Sequence, residues 1–228
     1  MTKHIPNFLT CCNIFCGTLA IVYPIWGLHF ILLGAIFDFF DGFAARWLKS
    51  FSPIGKDLDS LADMLTFGAA PAVMMFQIDI FLALLLPVFS ALRLAKFNID
   101  TRQSNSFLGL PTPANGIFWA SIAYVFNENQ FFKSEFFGFL NPQIILNALV
   151  CLFCYFMVSE IRMFSFKIKS LSFKNIVFHL LFLVLILLFV FIFLSLEINI
   201  LFSLPIIIII YVFLSLIKHF VEPYEVYS

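Results

Sequence analysis

Charge is scarce in this sequence. Asp, Glu, Lys and Arg make up 11% of its 228 residues, whereas 62% are apolar and 34 are phenylalanine. Soluble domains carry about 25% charged residues, so a water-facing globule is excluded. No basic run or soluble platform is present, which excludes a nucleic-acid interface. Cysteine is sparse as well: Cys11, Cys12, Cys16, Cys151 and Cys154 all fall in apolar stretches. Cys151-x2-Cys154 has no second pair and no neighbouring histidine, so these thiols read as small packing residues. The N-terminus has Lys3 before an apolar run but no small-residue cleavage site, which fits an uncleaved first span.

What the chain has is hydrophobic length. A transmembrane helix needs about 20 residues. Apolar runs and their breakers predict eight spans, at 8–26, 28–49, 58–78, 79–98, 113–127, 142–162, 174–195 and 198–219. The expected fold is therefore all-α, a polytopic integral membrane bundle. With the N-terminus inside, every Lys and Arg except Lys133 falls at the cytoplasmic face. That asymmetry supports an even number of spans with both termini cytoplasmic. The last two spans are nearly pure Leu, Ile, Val and Phe and read as lipid-facing padding without chemistry.

Against this background the segment Asp38-x2-Asp41-Gly42-x2-Ala45-Arg46-x8-Gly55-x3-Asp59-x3-Asp63 stands out. An ionised Asp inside a membrane costs about 2.5–3.5 kcal/mol even on insertion scales, so such acids point to function. Asp38 and Asp41 are three apart, and Asp59 and Asp63 four apart, so each pair shares one helix face. The Ser52-Pro53-Ile54-Gly55 break turns the two helices antiparallel and lets those faces meet. Four carboxylates without Cys or His suit hard cations such as Mg²⁺ or Mn²⁺. Two ions held together would make the clamp used in phosphoryl displacement. Gly42 and Ala45 allow close approach, Arg46 offers a donor fork for phosphate, and Ser52 and Gly55 sit in the turn opposite. Simple pairing of the acids with Arg46, Lys49 and Lys56 is the blander alternative. Another is a divalent-cation transporter, although its acids belong nearer mid-membrane in repeated halves, and no internal repeat is present.

The pattern D-x2-D-G-x2-A-R-x8-G-x3-D-x3-D resembles the signature of the CDP-alcohol phosphatidyltransferase family, with every position present. The resemblance implies that Asp38, Asp41, Asp59 and Asp63 bind two divalent cations and that Asp63 is the general base. Gly42, Ala45, Arg46, Ser52 and Gly55 then match positions that hold the CDP moiety of CDP-diacylglycerol. Pro6-Asn7-Phe8-Leu9-Thr10 resembles the family's opening helix, which adds Asn7 and Thr10 to that set. It further implies a six-helix core at 1–162, two additional spans and a short tail at 163–228, and a homodimer with its active site at the cytoplasmic face.

Two further segments bear on the acceptor alcohol. Arg93-Leu-Ala-Lys96-Phe97-Asn98 and Phe107-Leu-Gly109-Leu110-Pro111-Thr112-Pro113-Ala114 resemble the R-x2-R-F-N and F-x-G-L-P-x-P-A segments of the family's serine-using members. Lys96 departs from that pattern, keeping the charge but losing the bidentate fork of arginine. The resemblance implies L-serine as acceptor, bound by Arg93, Lys96 and Asn98. Two cations would equally welcome glycerol 3-phosphate or inositol phosphate, so charge alone leaves those acceptors open.

Overall fold

A computed structural model describes residues 4–49, 54–100, 107–128, 142–163 and 173–221. Among the described residues the chain forms eight helical rods, each on one of the expected spans. They are α1 (Ile5–Val22), α2 (Gly27–Trp47), a third rod in three pieces, α5 (Ile80–Ile99), α6 (Thr112–Glu128), α7 (Pro142–Val158), α8 (Phe173–Ser195) and α9 (Leu204–Val221). The third rod runs from α3 (Gly55–Asp63) through a π-helical segment (Met64–Ala69) into α4 (Ala70–Met75).

The boundaries follow local chemistry. Pro6 sits in the first turn of α1, where its missing N–H costs nothing. Asp79 ends the third rod's connection and caps α5, its carboxylate accepting from Leu82 N at 3.1 Å. Its other oxygen accepts from the Gln143 amide, tying α5 to the start of α7. The sequence marks around residue 79 thus become a helix start.

The π segment is a product of packing rather than of periodicity. Thr66 donates to Asn13 O of α1 at 3.0 Å. A Cβ on Gly17 would lie 2.4 Å from Thr66 Oγ1, and one on Gly34 2.8 Å from Thr66 Cγ2. Three helices can close around Thr66 only because two of them present glycine there. π turns concentrate at functional sites, and this one begins at the residue after Asp63.

Trp119, Phe118, Phe67 and Met75 are fully buried between the rods, with Phe118 stacked on Phe153 at 4.3 Å. Large apolar side chains also face outward, including Phe8, Leu84, Phe191 and Phe213, each more than 60% exposed. In water such a belt would be costly, at about 1.5–3 kcal/mol per side chain; in lipid it is not. By length and composition α1, Pro24–Trp47, α5 and Ile200–Val221 can each cross a membrane unaided. These apolar helices fit an integral membrane protein.

Two short strands escape the sequence pattern. Phe107–Leu108 (β1) pairs antiparallel with Arg162–Met163 (β2). Gly109 follows at φ 76°, and a Cβ there would meet Met157 O at 2.5 Å. Gly109 N donates to Ile161 O and Leu110 N to Phe156 O, both at 2.9 Å. The Gly-Leu-Pro loop therefore helps to satisfy the carbonyl end of α7, where Ser159 Oγ also donates to Phe156 O.

The last rod also differs from the expectation of outward padding. Helix α9 packs on α6 and β2, buries Tyr211, and offers His219 Nδ1 to Arg162 N at 3.4 Å. Asn199, before α9, donates to the Tyr124 hydroxyl at 3.1 Å.

Candidate active site

The last turns of α2 and the whole of α3 carry the acids. One carboxylate oxygen each from Asp38, Asp41 and Asp59 lies within 4.8 Å of the others. Asp63 joins them through Asp38, whose side chain contacts both Asp59 and Asp63. Asp41 and Asp63 are buried, 6% and 8% exposed. Asp63 Oδ1 has no hydrogen-bond partner among the described residues. Like charges this close repel strongly where the dielectric is low. An oxygen-only donor set with an orphaned buried oxygen fits a hard divalent cation, and all four side chains could serve as its ligands.

Thr10 is the nearest supporting group. Its Oγ1 lies 2.6 Å from Asp41 Oδ2 and 3.0 Å from Pro6 O. Its single proton serves the shorter contact best, so Thr10 orients Asp41. Asn7 lies one turn earlier on the same face of α1, half-buried. Arg46 is exposed and its guanidinium lies over Gly42, with Nη1 3.4 Å from where a Cβ would stand. Ala45 and Gly55 are half-buried, Gly55 at the first position of α3. Ser52 lies outside the described residues. Lys56 donates to Asn98 O at 2.6 Å, which ties that ammonium to α5.

Helix α5 brings a cation to the acids. Arg93 is 6% exposed and donates through Nη1 to Thr112 Oγ1 at 3.0 Å, and its guanidinium stacks 5.2 Å from the Phe97 ring. It lies within electrostatic reach of Asp63, Asp38 and Asp59. Lys96 and Asn98 are placed differently. Lys96 Nζ donates to Val158 O at 2.9 Å, at the last residue of α7, and Asn98 Nδ2 donates to Ser60 Oγ at 2.8 Å. Of the three residues expected at the acceptor, the structure brings Arg93 to the acids and gives the other two bridging partners.

The sequence that carries these paired acids has counterparts among known proteins. The CDP-alcohol phosphatidyltransferase family model matches residues 3–157. The chain belongs to the CDP-alcohol phosphatidyltransferase family. It is 34% identical over 178 residues to the CDP-diacylglycerol–serine O-phosphatidyltransferase of Bacillus subtilis, covering 72% of this chain and 92% of that one. The enzyme of the same name from Helicobacter pylori strain 26695 is 30% identical over 193 residues, covering 78% and 79%. The archaetidylserine synthase of Methanothermobacter thermautotrophicus is 29% identical over 172 residues, covering 69% and 68%.

As a CDP-alcohol phosphatidyltransferase, the protein is a phosphotransferase of a family that works with divalent metals. The acid cluster is consistent with that chemistry. Residues beyond the signature also shape the site. Thr112 steadies Arg93, and its place one residue after the Leu-Pro of the loop was the available signal. Tyr211, from the rod expected to be inert, is buried within electrostatic reach of Arg93. A lone tyrosine in an Ile-rich run gave little warning of it.

Proposed function

We propose that this phosphatidyltransferase moves the phosphatidyl group of CDP-diacylglycerol onto the hydroxyl of L-serine, giving phosphatidylserine and CMP. The observation that carries this reading is the juxtaposition of the four acids with one buried arginine, in a chain similar to enzymes named for serine transfer.

Asp38, Asp41, Asp59 and Asp63 would hold two divalent cations, magnesium or manganese, with Thr10 fixing the orientation of Asp41. Such ions, when bound, offset charge on the pyrophosphate and on the departing nucleotide. Asp63 takes the proton of the acceptor hydroxyl, because an alcohol is a weak nucleophile at neutral pH. The freed oxygen bonds to the lipid-side phosphorus, and the bond from that phosphorus to CMP breaks. Arg93 receives the acceptor's carboxylate. Lys96 and Asn98 support it by fixing α5 to α7 and α3. Gly42, Ala45, Arg46, Ser52 and Gly55, with Asn7, hold the CDP portion. The active site and both termini face the cytoplasm, and the working unit is a homodimer.

The test offers L-serine, glycerol 3-phosphate and inositol 1-phosphate separately to the purified protein in vesicles containing CDP-diacylglycerol and Mg²⁺ or Mn²⁺. Phosphatidylserine with equimolar CMP is the expected outcome. A phosphatidylglycerol phosphate or inositol lipid instead would move the acceptor while keeping the chemistry. Metal flux without CMP release would discard the transferase reading.

A further inference from the structure

Helix α5 runs toward the acid-bearing end of the bundle, where Asn98 meets Ser60, and α6 runs away from it. The Arg93–Thr112 hydrogen bond fixes the register between these antiparallel helices. One turn deeper on each stand Ser90, three residues before Arg93, and Asn115, three residues after Thr112. Three residues are about 4.5 Å of helix rise, so each lies about that much deeper than the residue above it on its own helix.

Both are sealed from the surroundings, at 0% and 1% exposure. Ser90 Oγ, Asn115 Oδ1 and Asn115 Nδ2 have no hydrogen-bond partner among the described residues, and neither does Arg93 Nε above them. The π segment forms the third wall. A Cβ on Gly68 would lie 3.0 Å from Ser90 Cβ and 3.2 Å from its Oγ, and one on Gly116 would lie 2.5 Å from Phe67 O. Asp63 is one turn above Phe67 on that same rod. The upper tier therefore holds Asp63, Arg93 and Thr112, and the lower tier Ser90 and Asn115.

Polar side chains between membrane helices are ordinarily satisfied by bonding across the interface. These two do not bond to each other, so they are not interhelical glue. Buried polar groups are nearly always partnered, and an exception calls for an explanation. A small polar ligand entering from the acid side supplies one. With its hydroxyl at Asp63 and its carboxylate at Arg93, an amino-acid acceptor still has an ammonium to place. Ser90 Oγ and Asn115 Oδ1 are neutral acceptors one turn below, suited to a group with three N–H donors.

We infer that Ser90 and Asn115 form the floor of the acceptor pocket and receive the acceptor's ammonium group, making them specificity-determining residues. This rests on the serine reading above. The floor separates L-serine from acceptors of similar size that lack an ammonium, because a site built for hydrogen bonds rejects a ligand that cannot make them.

The test uses the full-length protein in CDP-diacylglycerol vesicles, with the variants Asn115→Leu and Ser90→Ala. Each is assayed with L-serine and with 3-hydroxypropanoate, which lacks only the ammonium. Asn115→Leu is expected to raise the KM for L-serine at least tenfold and leave the KM for CDP-diacylglycerol within twofold. It should also narrow the preference for L-serine over 3-hydroxypropanoate and abolish the rise in Tm expected of the parent protein with L-serine. Ser90→Ala should move the same quantities several-fold. Should Asn115→Leu fail to fold, Asn115→Ser and Ser90→Ala carry the same measurements. Unchanged serine KM and preference in the folded variants would overturn the inference and leave both residues as packing groups. A parent protein that ignores L-serine but uses another alcohol would instead fail the acceptor assignment, an outcome visible before any variant is made.

Discussion

The acids of α2 and α3 concentrate one sign of charge, whereas the facing α5–α6 pair spreads one cation and several neutral groups over two turns. The first region is electrostatically incomplete and calls for positive charge from outside. The second has most of its charge settled and is short only of hydrogen bonds. Each deficit names a different guest. Crowded carboxylates attract dications and, through them, a pyrophosphate; isolated hydroxyl and amide groups suit a small zwitterion. Catalysis belongs with the first region and choice of acceptor with the second, and substitutions on the two sides should separate accordingly.

The largest effect is expected at Asp63, which belongs to the acids and lies within electrostatic reach of Arg93. Asp63→Asn keeps the shape but removes the base and one anionic donor. A positioned general base contributes about 10²–10⁴-fold in rate, so kcat should fall by at least that much in a CMP-release assay. Retention of more than a tenth of the parent rate would take the base role away from Asp63.

Thr10→Val probes the acid side without changing its charge. It deletes the bond to Asp41 and leaves the methyl groups to fill α1. Loss of a group that orients a metal ligand typically costs about 10–100-fold in metal affinity. The Mg²⁺ or Mn²⁺ concentration for half-maximal activity should rise by that factor, with kcat at saturating metal close to the parent. A changed KM for CDP-diacylglycerol at saturating metal would show that Thr10 acts at the nucleotide-lipid site as well.

Arg93→Lys probes the opposite side. Lysine keeps the charge but cannot hold Thr112 and stack on Phe97 together while presenting a fork. The KM for L-serine should rise about tenfold, roughly the worth of one charge-assisted hydrogen bond, with the metal requirement unmoved. A shift in metal requirement instead would collapse the division between the two regions.

These regions also differ in how far the sequence disclosed them. The acid cluster was legible because its charges are dense, regularly spaced and out of place among apolar residues, and the rods were legible from apolar length and breakers. The inferred α5–α6 floor was hidden: Ser90 and Asn115 are isolated polar residues, and their burial against the π segment depends on packing between helices. The π segment was equally hidden, since it arises where Gly17 and Gly34 press on Thr66 from two other helices. Strands of two residues carry no period to detect. Tyr211 comes within electrostatic reach of Arg93 only through the docking of α9, although the two residues are more than a hundred positions apart.

Lys96 gives the smallest expected effect and the finest division. The family resemblance placed it beside Arg93 at the acceptor, and its ammonium lies 2.9 Å from Val158 O, the carbonyl of the last residue of α7. Cations at helix carboxyl ends are stabilising, and a hydrogen bond from a charged donor contributes about 1.5–3 kcal/mol. Being only partly buried, this one should fall toward the lower figure. Lys96→Met retains the length and loses the bond, so Tm should drop by a few degrees while the KM for L-serine stays within twofold. A tenfold KM increase at unchanged Tm would mean that the ammonium leaves Val158 when the acceptor arrives. In that event Lys96 belongs to the acceptor pocket after all, and the cation side of the site holds two charges where the resting structure commits one.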